Sequence, residues 1–480
     1  MIKNDIYEIT IDDIGNDGEG IGHVLDRQNG KSFAVFVKDT VIGDRARIRI
    51  VKAKKTYAYG RLEELIQPSP YRMEAVCDRA RSCGGCSLMH MSYEKQLEYK
   101  WNKVKSCLER IGGIRDAETI MEPVHGMEAP YFYRNKMQLP VGRDRDGNIV
   151  IGFYAGRTHS IINLEKCYIG HEVNDSIIKH VRTWLENLDG KIDAVYNEEN
   201  HTGLVRHILT RVGFATGELM VCLVINGDSM PNEYEKSFVN VVCAAAREYN
   251  DAQEKQIRLT SVCINVNKEK TNKILGDKCK TLYGRDYIED YIGDILFRIS
   301  PLSFYQVNPV QTKAIYDKAI EYANLKGDEA VWDMYCGIGT ISLSLAKKAK
   351  KVYGVEVVPA AIRDAKENAK INNIKNVEFF CGKAEEVVPE VYQNVDANEG
   401  KHPDVVVVDP PRKGCDVVLL NTIVSMAPDR LVYVSCDPAT LARDVKILSE
   451  EGYKLMKAAV FDAFCQSGHV ESVVLISREK

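Results

Sequence analysis

The sequence predicts a multidomain protein with an N-terminal all-β unit, a central α+β unit and a C-terminal α/β unit. A chain of 480 residues with 45% hydrophobic content is too long for one ordinary domain. Short strands punctuated by glycines fill the first unit, whereas helices and strands alternate from about residue 310, which is typical of a parallel sheet. We place the three units at 1–66, 67–300 and 301–480.

Composition limits the partners and the compartment. The formal net charge is −4, so overall charge does not indicate a nucleic-acid partner, and any phosphate-binding surface must be local. The charged N-terminus predicts no signal peptide, and no apolar stretch is long enough to span a membrane. We expect a cytoplasmic monomer with no membrane contact and no obligate protein partner.

The first unit shows strand-like alternation at residues 7–11, and a second strand pattern at 44–50 is rich in arginine. Because successive side chains of a strand point to opposite faces, Arg45, Arg47 and Arg49 lie on one face. These side chains form either a solvated face of a small barrel or a set of phosphate contacts. The residues alone do not decide between the two.

A cysteine cluster begins the central unit. Cys77, Cys83 and Cys86 lie close together in the sequence, and Cys167 is the best candidate for a fourth ligand. Without an export signal the thiols are expected to be reduced, so clustered cysteines indicate metal ligands or catalytic thiols rather than disulfides. Four thiolates suit either zinc or a [4Fe–4S] cluster, and the spacing alone does not decide.

A helix is predicted after the cysteines, from a cap at Ser92 to Ile111, before a glycine pair that ends it. Apolar residues recur at helical spacing and should face a core. They are Leu97, Trp101, Val104, Leu108 and Ile111.

A glycine turn marks a ligand site in the third unit. A strand runs into Gly337 and Gly339, and the next strand ends at Glu356, an acid placed to bind a ribose diol. The third glycine of a dinucleotide motif is missing, which favours a single nucleoside such as S-adenosylmethionine over NAD. The strand 405–408 then leads to Asp409 at the carboxyl edge of the sheet, where α/β proteins bind ligands.

A candidate nucleophile follows a later strand. Cys436 lies in the turn Ser-Cys-Asp-Pro, residues 435–438, directly after the apolar run 431–434. Glu471, within 468–472, is a candidate base for it. A thiol and a carboxylate are a weak motif alone, but a methyl-donor site precedes them here.

Together these motifs resemble those of the RNA (uracil-5-)-methyltransferases, and the resemblance extends over nearly the whole chain. It is carried by residues 304–308 (Phe-Tyr-Gln-Val-Asn), 409–412 (Asp-Pro-Pro-Arg), 435–438 and 468–472 (Gly-His-Val-Glu-Ser). The resemblance implies a C-terminal Rossmann-like class I methyltransferase domain that uses S-adenosylmethionine. It also implies that the N-terminal unit is a TRAM domain, an OB-like barrel that binds RNA.

The resemblance assigns roles to single residues. It implies methylation of carbon 5 of uridine, with Cys436 adding to carbon 6 as the nucleophile and Glu471 acting as general base. Four further residues are implied as contacts to S-adenosylmethionine beside the glycine turn: Gln306, Tyr335, Glu356 and Asp409. The set expected to bind RNA comprises Arg45, Arg47, Arg49 and Phe304, the last by stacking on a flipped base.

The resemblance also bears on the metal and the substrate. It implies a [4Fe–4S] cluster on the four cysteines and a helix, 93–112, that packs with the catalytic domain. A barrel and a cluster in one chain point to 23S rRNA as substrate, with tRNA as the alternative. Asp437 stands where the family often has asparagine, and we expect its carboxylate to raise the pKa of the neighbouring thiol slightly.

Three other functions compete with this interpretation. RNA cytosine-5 methyltransferases use the same addition, but they typically have a Pro-Cys motif, whereas the cysteine after Asp409 is displaced to Cys415. A non-catalytic RNA-binding iron–sulfur protein would not need Cys436 and Glu471. A methyltransferase for small molecules or proteins would not need the barrel, the cysteine cluster or the thiol nucleophile.

Overall fold

A small closed barrel forms the N-terminus of the protein, whose computed structural model describes residues 2–25, 30, 32–156, 158–399 and 403–479. Five strands close the barrel in the order β1-β2-β3-β5-β4. They are β1 (Ile6–Ile14), β2 (Gly20–Leu25), β3 (Ser32–Val37), β4 (Arg45–Ala53) and β5 (Tyr57–Gln67). Ile48 and Ile50 of β4 are fully buried inside, so the arginines that alternate with them point outward, and the predicted barrel is confirmed.

A seven-stranded sheet forms the centre of the chain, in the order β12-β11-β10-β9-β6-β7-β8. Its strands are β6 (Lys136–Arg143), β7 (Ile149–Tyr154), β8 (Ile161–Asn163), β9 (Val205–Val212), β10 (Glu218–Ile225), β11 (Arg258–Val266) and β12 (Lys278–Gly284). Helices α2 (Val173–Leu188) and α3 (Asn232–Ala252) share one hydrophobic core with it. A hairpin of β13 (Ile288–Ile292) and β14 (Ile295–Ile299) then leads to the C-terminal unit.

The C-terminal unit is the predicted α/β sheet, with strand order β17-β16-β15-β18-β19-β21-β20. Five strands are parallel, and β21 runs antiparallel to β19 and β20. The strands are β15 (Ala330–Asp333), β16 (Lys351–Glu356), β17 (Val377–Cys381), β18 (Val405–Val408), β19 (Arg430–Ser435), β20 (Tyr453–Phe461) and β21 (Glu471–Arg478). The four valines of β18 are fully buried, as expected for a central strand covered on both faces.

Helices cover both faces of this sheet. One core contains α4 (Pro309–Ala323), α5 (Thr340–Ala346) and α6 (Pro359–Ile371). The other contains α7 (Ala384–Glu399), α8 (Val417–Met426) and α9 (Pro438–Glu450). Within the described ranges, no helix is both long and apolar enough to cross a bilayer.

The helix α1 (Tyr93–Arg110) belongs by contact to the C-terminal unit, although it precedes the central sheet in the chain. It packs against α9 and β20, and Val104 and Leu108 are fully buried in the core on that face. The predicted stripe is correct for these two residues, whereas Ile111 is 42% exposed. Ser92 precedes the helix as expected, but its side chain makes no capping hydrogen bond.

Candidate active site

The carboxyl ends of the C-terminal strands open into one cavity of about 1250 Å³. Eight of the predicted site residues line it: Phe304, Gln306, Tyr335, Gly337, Glu356, Asp409, Cys436 and Glu471. Gly339 is not part of the wall. It begins α5 at φ +86°, and an added Cβ would lie 3.1 Å from the ring of Phe379, so this glycine serves the turn and its packing.

The glycine turn and the acid at the end of β16 are joined by hydrogen bonds. The N–H groups of Gly337 and Val358 donate to the two carboxylate oxygens of Glu356, at 3.2 and 2.8 Å. These bonds fix the carboxylate at the cavity wall, and each of its oxygens has a further lone pair for a hydroxyl group. The arrangement suits the ribose diol of a nucleoside.

Sequence reasoning missed two groups beside this turn. Asp333, the last residue of β15, is fully buried, and burial raises the pKa of its carboxyl to about 6. The hydroxyl of Ser342 donates to one oxygen of Asp333 at 2.5 Å. Tyr316 lines the cavity from α4 and shares a hydrogen bond of 2.8 Å with the hydroxyl of Thr340. An acid ending the strand before the glycine turn was a signal for Asp333, whereas nothing local indicated Tyr316.

Cys436 and Glu471 are brought together by strand register. In the antiparallel pair of β19 and β21, Ser435 lies opposite Ser472. Cys436 follows Ser435 and Glu471 precedes Ser472, so continuing the register by one residue places these two opposite each other. Opposed residues of an antiparallel pair point to the same face, and both side chains line the cavity.

The thiol and the carboxyls of the site are strongly perturbed. Burial, followed by the negative charges of Glu471 and Asp409, raises the pKa of Cys436 to about 11, while Arg412 lowers it. Burial and Asp409 raise the pKa of Glu471 well above its usual value, again against Arg412. Burial, together with Asp333, raises the pKa of Asp409 to about 7. Clustered, perturbed groups in a cleft are typical of catalytic sites.

Asp437 has a different role from the one expected. Its side chain caps α9 by accepting from the N–H groups of Ala439 and Thr440, at 2.9 and 3.0 Å. The carboxylates that raise the pKa of Cys436 are Glu471 and Asp409, which lie across the cavity, rather than this sequence neighbour.

The residues predicted to bind RNA lie in two places. Phe304 is 68% exposed at the catalytic cavity, a position from which its ring can meet a base. The three arginines lie on the outer face of the barrel, in ion pairs with barrel glutamates. These pairs are Arg45 with Glu8, Arg47 with Glu8 and Glu64, and Arg49 with Glu63. Contact with phosphate groups would require these exposed pairs to open.

The four predicted ligand cysteines line a second cavity, of about 560 Å³. They are Cys77, Cys83, Cys86 and Cys167. In the part of the chain that the structure describes, no three His, Cys, Asp or Glu side chains converge as a site for a metal ion. The four thiols line this cavity without forming such a site, so the structure does not support the predicted cluster.

The C-terminal sheet, its glycine turn and the acid at the end of β16 have the arrangement of a class I S-adenosylmethionine-dependent methyltransferase, and a closed five-stranded barrel precedes it in the chain. Residues 240–479 match the family described as tRNA (Uracil-5-)-methyltransferase, and residues 3–62 match the TRAM domain. The chain belongs to the S-adenosylmethionine-dependent RNA (uracil-5-)-methyltransferase family.

Relatives extend over nearly the full chain. An uncharacterized RNA methyltransferase of Bacillus cereus is 48% identical over 476 residues, which are 99% of this chain and 97% of the relative. One of Clostridium tetani is 47% identical, with the same coverage. The crystal structure of Pyrococcus abyssi tRNA (uracil-54, C5)-methyltransferase in complex with S-adenosyl-L-homocysteine is 27% identical, with a TM-score of 0.73, covering 98% of this chain and 99% of that chain.

Proposed function

We propose that this protein methylates carbon 5 of uridine in 23S rRNA through a covalent adduct between Cys436 and carbon 6 of the base. The observation that carries the proposal is that Cys436 and Glu471, which adjoin the paired Ser435 and Ser472, line the same cavity as Glu356 and Asp409. A nucleophile and a base on the same face of two neighbouring strands can act on adjacent carbons of one ring.

The reaction begins at the thiol. Because the pKa of Cys436 is about 11, the thiol must first give its proton to water. The thiolate forms a bond to carbon 6, and the electrons of the carbon 5–carbon 6 double bond move to carbon 5 and the neighbouring carbonyl. Carbon 5 is then nucleophilic enough to bond to the methyl group of the donor; the carbon–sulfur bond of the sulfonium would break, and its electron pair would remain on sulfur as a neutral thioether. Glu471, as carboxylate, removes the proton from carbon 5, the double bond re-forms, and the bond to sulfur breaks.

The residues around the glycine turn hold the methyl donor. S-adenosylmethionine supplies an electrophilic methyl group when bound. In this proposal Glu356 binds the ribose hydroxyls, the turn at Gly337 lets the ligand approach the backbone, and Tyr335 and Gln306 contact it from the adjoining wall. Asp409 lies between this part of the cavity and the Cys436–Glu471 pair, so it faces both the donor and the base.

The barrel and the four-cysteine cavity support rRNA as the substrate. We also propose that this cavity holds a [4Fe–4S] cluster, since all four cysteines that could ligate it line the same cavity. Arg134, Lys136 and Lys166 line the same cavity, and no carboxylate is among its described lining residues, so the wall suits a group of negative charge. About four irons per anaerobically purified chain would support the cluster, and one zinc per chain would contradict it.

A tRNA substrate is the second candidate, because the Pyrococcus abyssi enzyme that resembles this chain over 98% of its length is named for tRNA uracil-54. The test is nucleoside mass spectrometry of unmodified 23S rRNA and tRNA transcripts, incubated with anaerobically purified protein and labelled S-adenosylmethionine. We expect label in 5-methyluridine from the rRNA alone. Label in 5-methyluridine from tRNA would contradict the proposed substrate and support the proposed chemistry. Label in 5-methylcytidine would contradict uracil as the modified nucleobase. The absence of label from either RNA would contradict both the substrate and the chemistry.

A further inference from the structure

The loop between β20 and β21, residues 462–470, leads directly into Glu471 and forms part of the catalytic cavity. Phe464 and His469 lie in the cavity wall, and Glu471 is the first residue of β21. Glu471 is paired with Phe461 at the end of β20, and the loop joins these two strand ends, so its backbone contributes to where the carboxyl of Glu471 stands. Its contacts come largely from residues more than 300 positions earlier in the chain.

Helix α1 reaches this loop with four side chains of one helical face: Tyr93, Gln96, Lys100 and Lys103. The Nζ atom of Lys103 donates to the carbonyl of Gly468 at 2.9 Å, next to His469. The Nζ atom of Lys100 donates to the carbonyl of Phe464 at 3.0 Å. Both wall residues are thus held, directly or through a neighbour, by α1.

The start of the loop is fixed by a buried ion pair. Lys100 and Asp462 contact each other with both side chains fully buried. The hydroxyl of Tyr93 donates to the other carboxylate oxygen of Asp462 at 2.8 Å. Two charges removed from water are tolerated only with such satisfied partners, so this end of the loop has one defined arrangement.

The middle of the loop holds a backbone conformation that needs support. Gln466 has φ +68°, in the left-handed region that a residue with a side chain rarely adopts. Its side-chain oxygen accepts from Nε2 of Gln96 at 3.0 Å, and its backbone N–H donates to Oε1 of Gln96 at 3.2 Å. Its carbonyl accepts from the N–H of Leu88 at 2.9 Å.

We infer that Gln96, Lys100 and Lys103 are positioning residues for catalysis, which hold Glu471 and the His469 wall at the distance that the reaction requires. The inference rests on the proposed function, in which Glu471 is the base. A catalytic group displaced by about 1 Å can cost on the order of 10²-fold in rate, so a loop held at three points along its length has a direct effect on turnover.

Lys103→Met is the first test, because Lys103 is half-buried and its side chain is replaced by one of similar length. We expect kcat for the RNA transcript to fall by about tenfold with KM for the RNA within about twofold, and amide hydrogen exchange in residues 462–470 to rise. Lys103→Arg, which keeps a donor, should recover most of the loss. The matched control is Lys105→Met, because Lys105 lies on the same helix but contacts Glu118 instead of the loop.

Gln466→Gly is a second variant, because glycine adopts φ +68° without strain while the side-chain bond to Gln96 is lost. It should show the same fall in kcat and the same rise in exchange. Unchanged kcat in both variants, or a loss confined to KM for the RNA, would overturn the positioning role. Normal turnover of Glu471→Gln would instead contradict the role of Glu471 as general base. In that case, a fall in kcat in the loop variants would still support the positioning of the cavity wall at His469.

Discussion

At the scale of single residues, the site combines a thiol and three carboxyls whose ionised forms are all negative and repel one another. Cys436, Glu471, Asp409 and Asp333 all have raised pKa values, chiefly because burial disfavours their charged forms. Arg412 acts in the opposite direction on Cys436 and Glu471. Burial therefore favours the protonated forms of the nucleophile and the base, and a positive charge placed in the cavity would favour their ionisation.

Glu471→Gln should separate the two halves of the reaction. The thiol of Cys436 can still add to the base, but no carboxylate removes the proton from carbon 5, so turnover falls by about 10²–10⁴-fold and the covalent RNA adduct accumulates. Denaturing gel electrophoresis of enzyme with labelled RNA measures the adduct. Cys436→Ala should form none, whereas the control Cys415→Ala should form it at the normal rate. An adduct in Cys436→Ala would contradict the assignment of the nucleophile.

The pKa of Cys436 predicts how its reactivity depends on pH. With a pKa of about 11, the thiolate fraction of the free protein rises by about tenfold for each pH unit between 7 and 9. Alkylation of Cys436 by iodoacetamide, followed by peptide mass spectrometry, should rise in the same proportion. S-adenosylmethionine should shift the profile to lower pH because its sulfonium group is positively charged. A rate independent of pH over this range would contradict the burial of the thiol.

At the scale of elements, short sequence motifs predicted those features of the site that depend on a few consecutive residues. The glycine turn, the acid ending β16 and the strand before Cys436 are encoded within a few residues, and all were found from the sequence. Tyr316 and the contacts of α1 with the loop 462–470 were not found, because they depend on tertiary packing between distant segments. Asp437 was misjudged because sequence adjacency suggested a charge interaction, whereas hydrogen bonding turns its side chain toward α9.

Asp437 is a helix cap, and its substitutions should behave accordingly. Asp437→Ala leaves two N–H groups of α9 without their acceptor and should destabilise the C-terminal unit by about 1 kcal/mol, which lowers the thermal midpoint by about 2–4 °C. Asp437→Asn retains a capping oxygen and should keep the midpoint within about 1 °C, with methylation activity within about twofold. Differential scanning fluorimetry and a methylation assay measure the two effects. A large change in the activity of Asp437→Asn would show that its charge acts on the thiol after all.

At the scale of the whole molecule, the order of the chain and the order in space differ. Helix α1 precedes the central sheet in sequence, yet it packs on the catalytic unit, and its Tyr99 donates to the carbonyl of Gly15 in the barrel at 3.2 Å. The central sheet also contributes to the catalytic cavity, through Lys273 and Asp277 of the connection between β11 and β12. Substrate selection is therefore expected to depend on all three units rather than on the methyltransferase sheet alone.

The outer face of the barrel gives the last prediction. Arg45, Arg47 and Arg49 are ion-paired, but the pairs are exposed, and such pairs contribute only about 0–1 kcal/mol each. Phosphate groups can therefore displace the glutamates at little cost. If they do, changing Arg45, Arg47 and Arg49 together to glutamine weakens RNA binding. The slope of log Kd against log salt concentration then falls by about 2–3.

Filter binding of the RNA transcript at several salt concentrations measures this slope. The matched control removes three exposed, ion-paired lysines elsewhere in the protein, Lys179, Lys268 and Lys313. An equal fall in slope for both triple variants would mean that only overall charge matters. An unchanged slope in the arginine variant would mean that this face is solvated, and that RNA reaches Phe304 and the catalytic cavity by another surface.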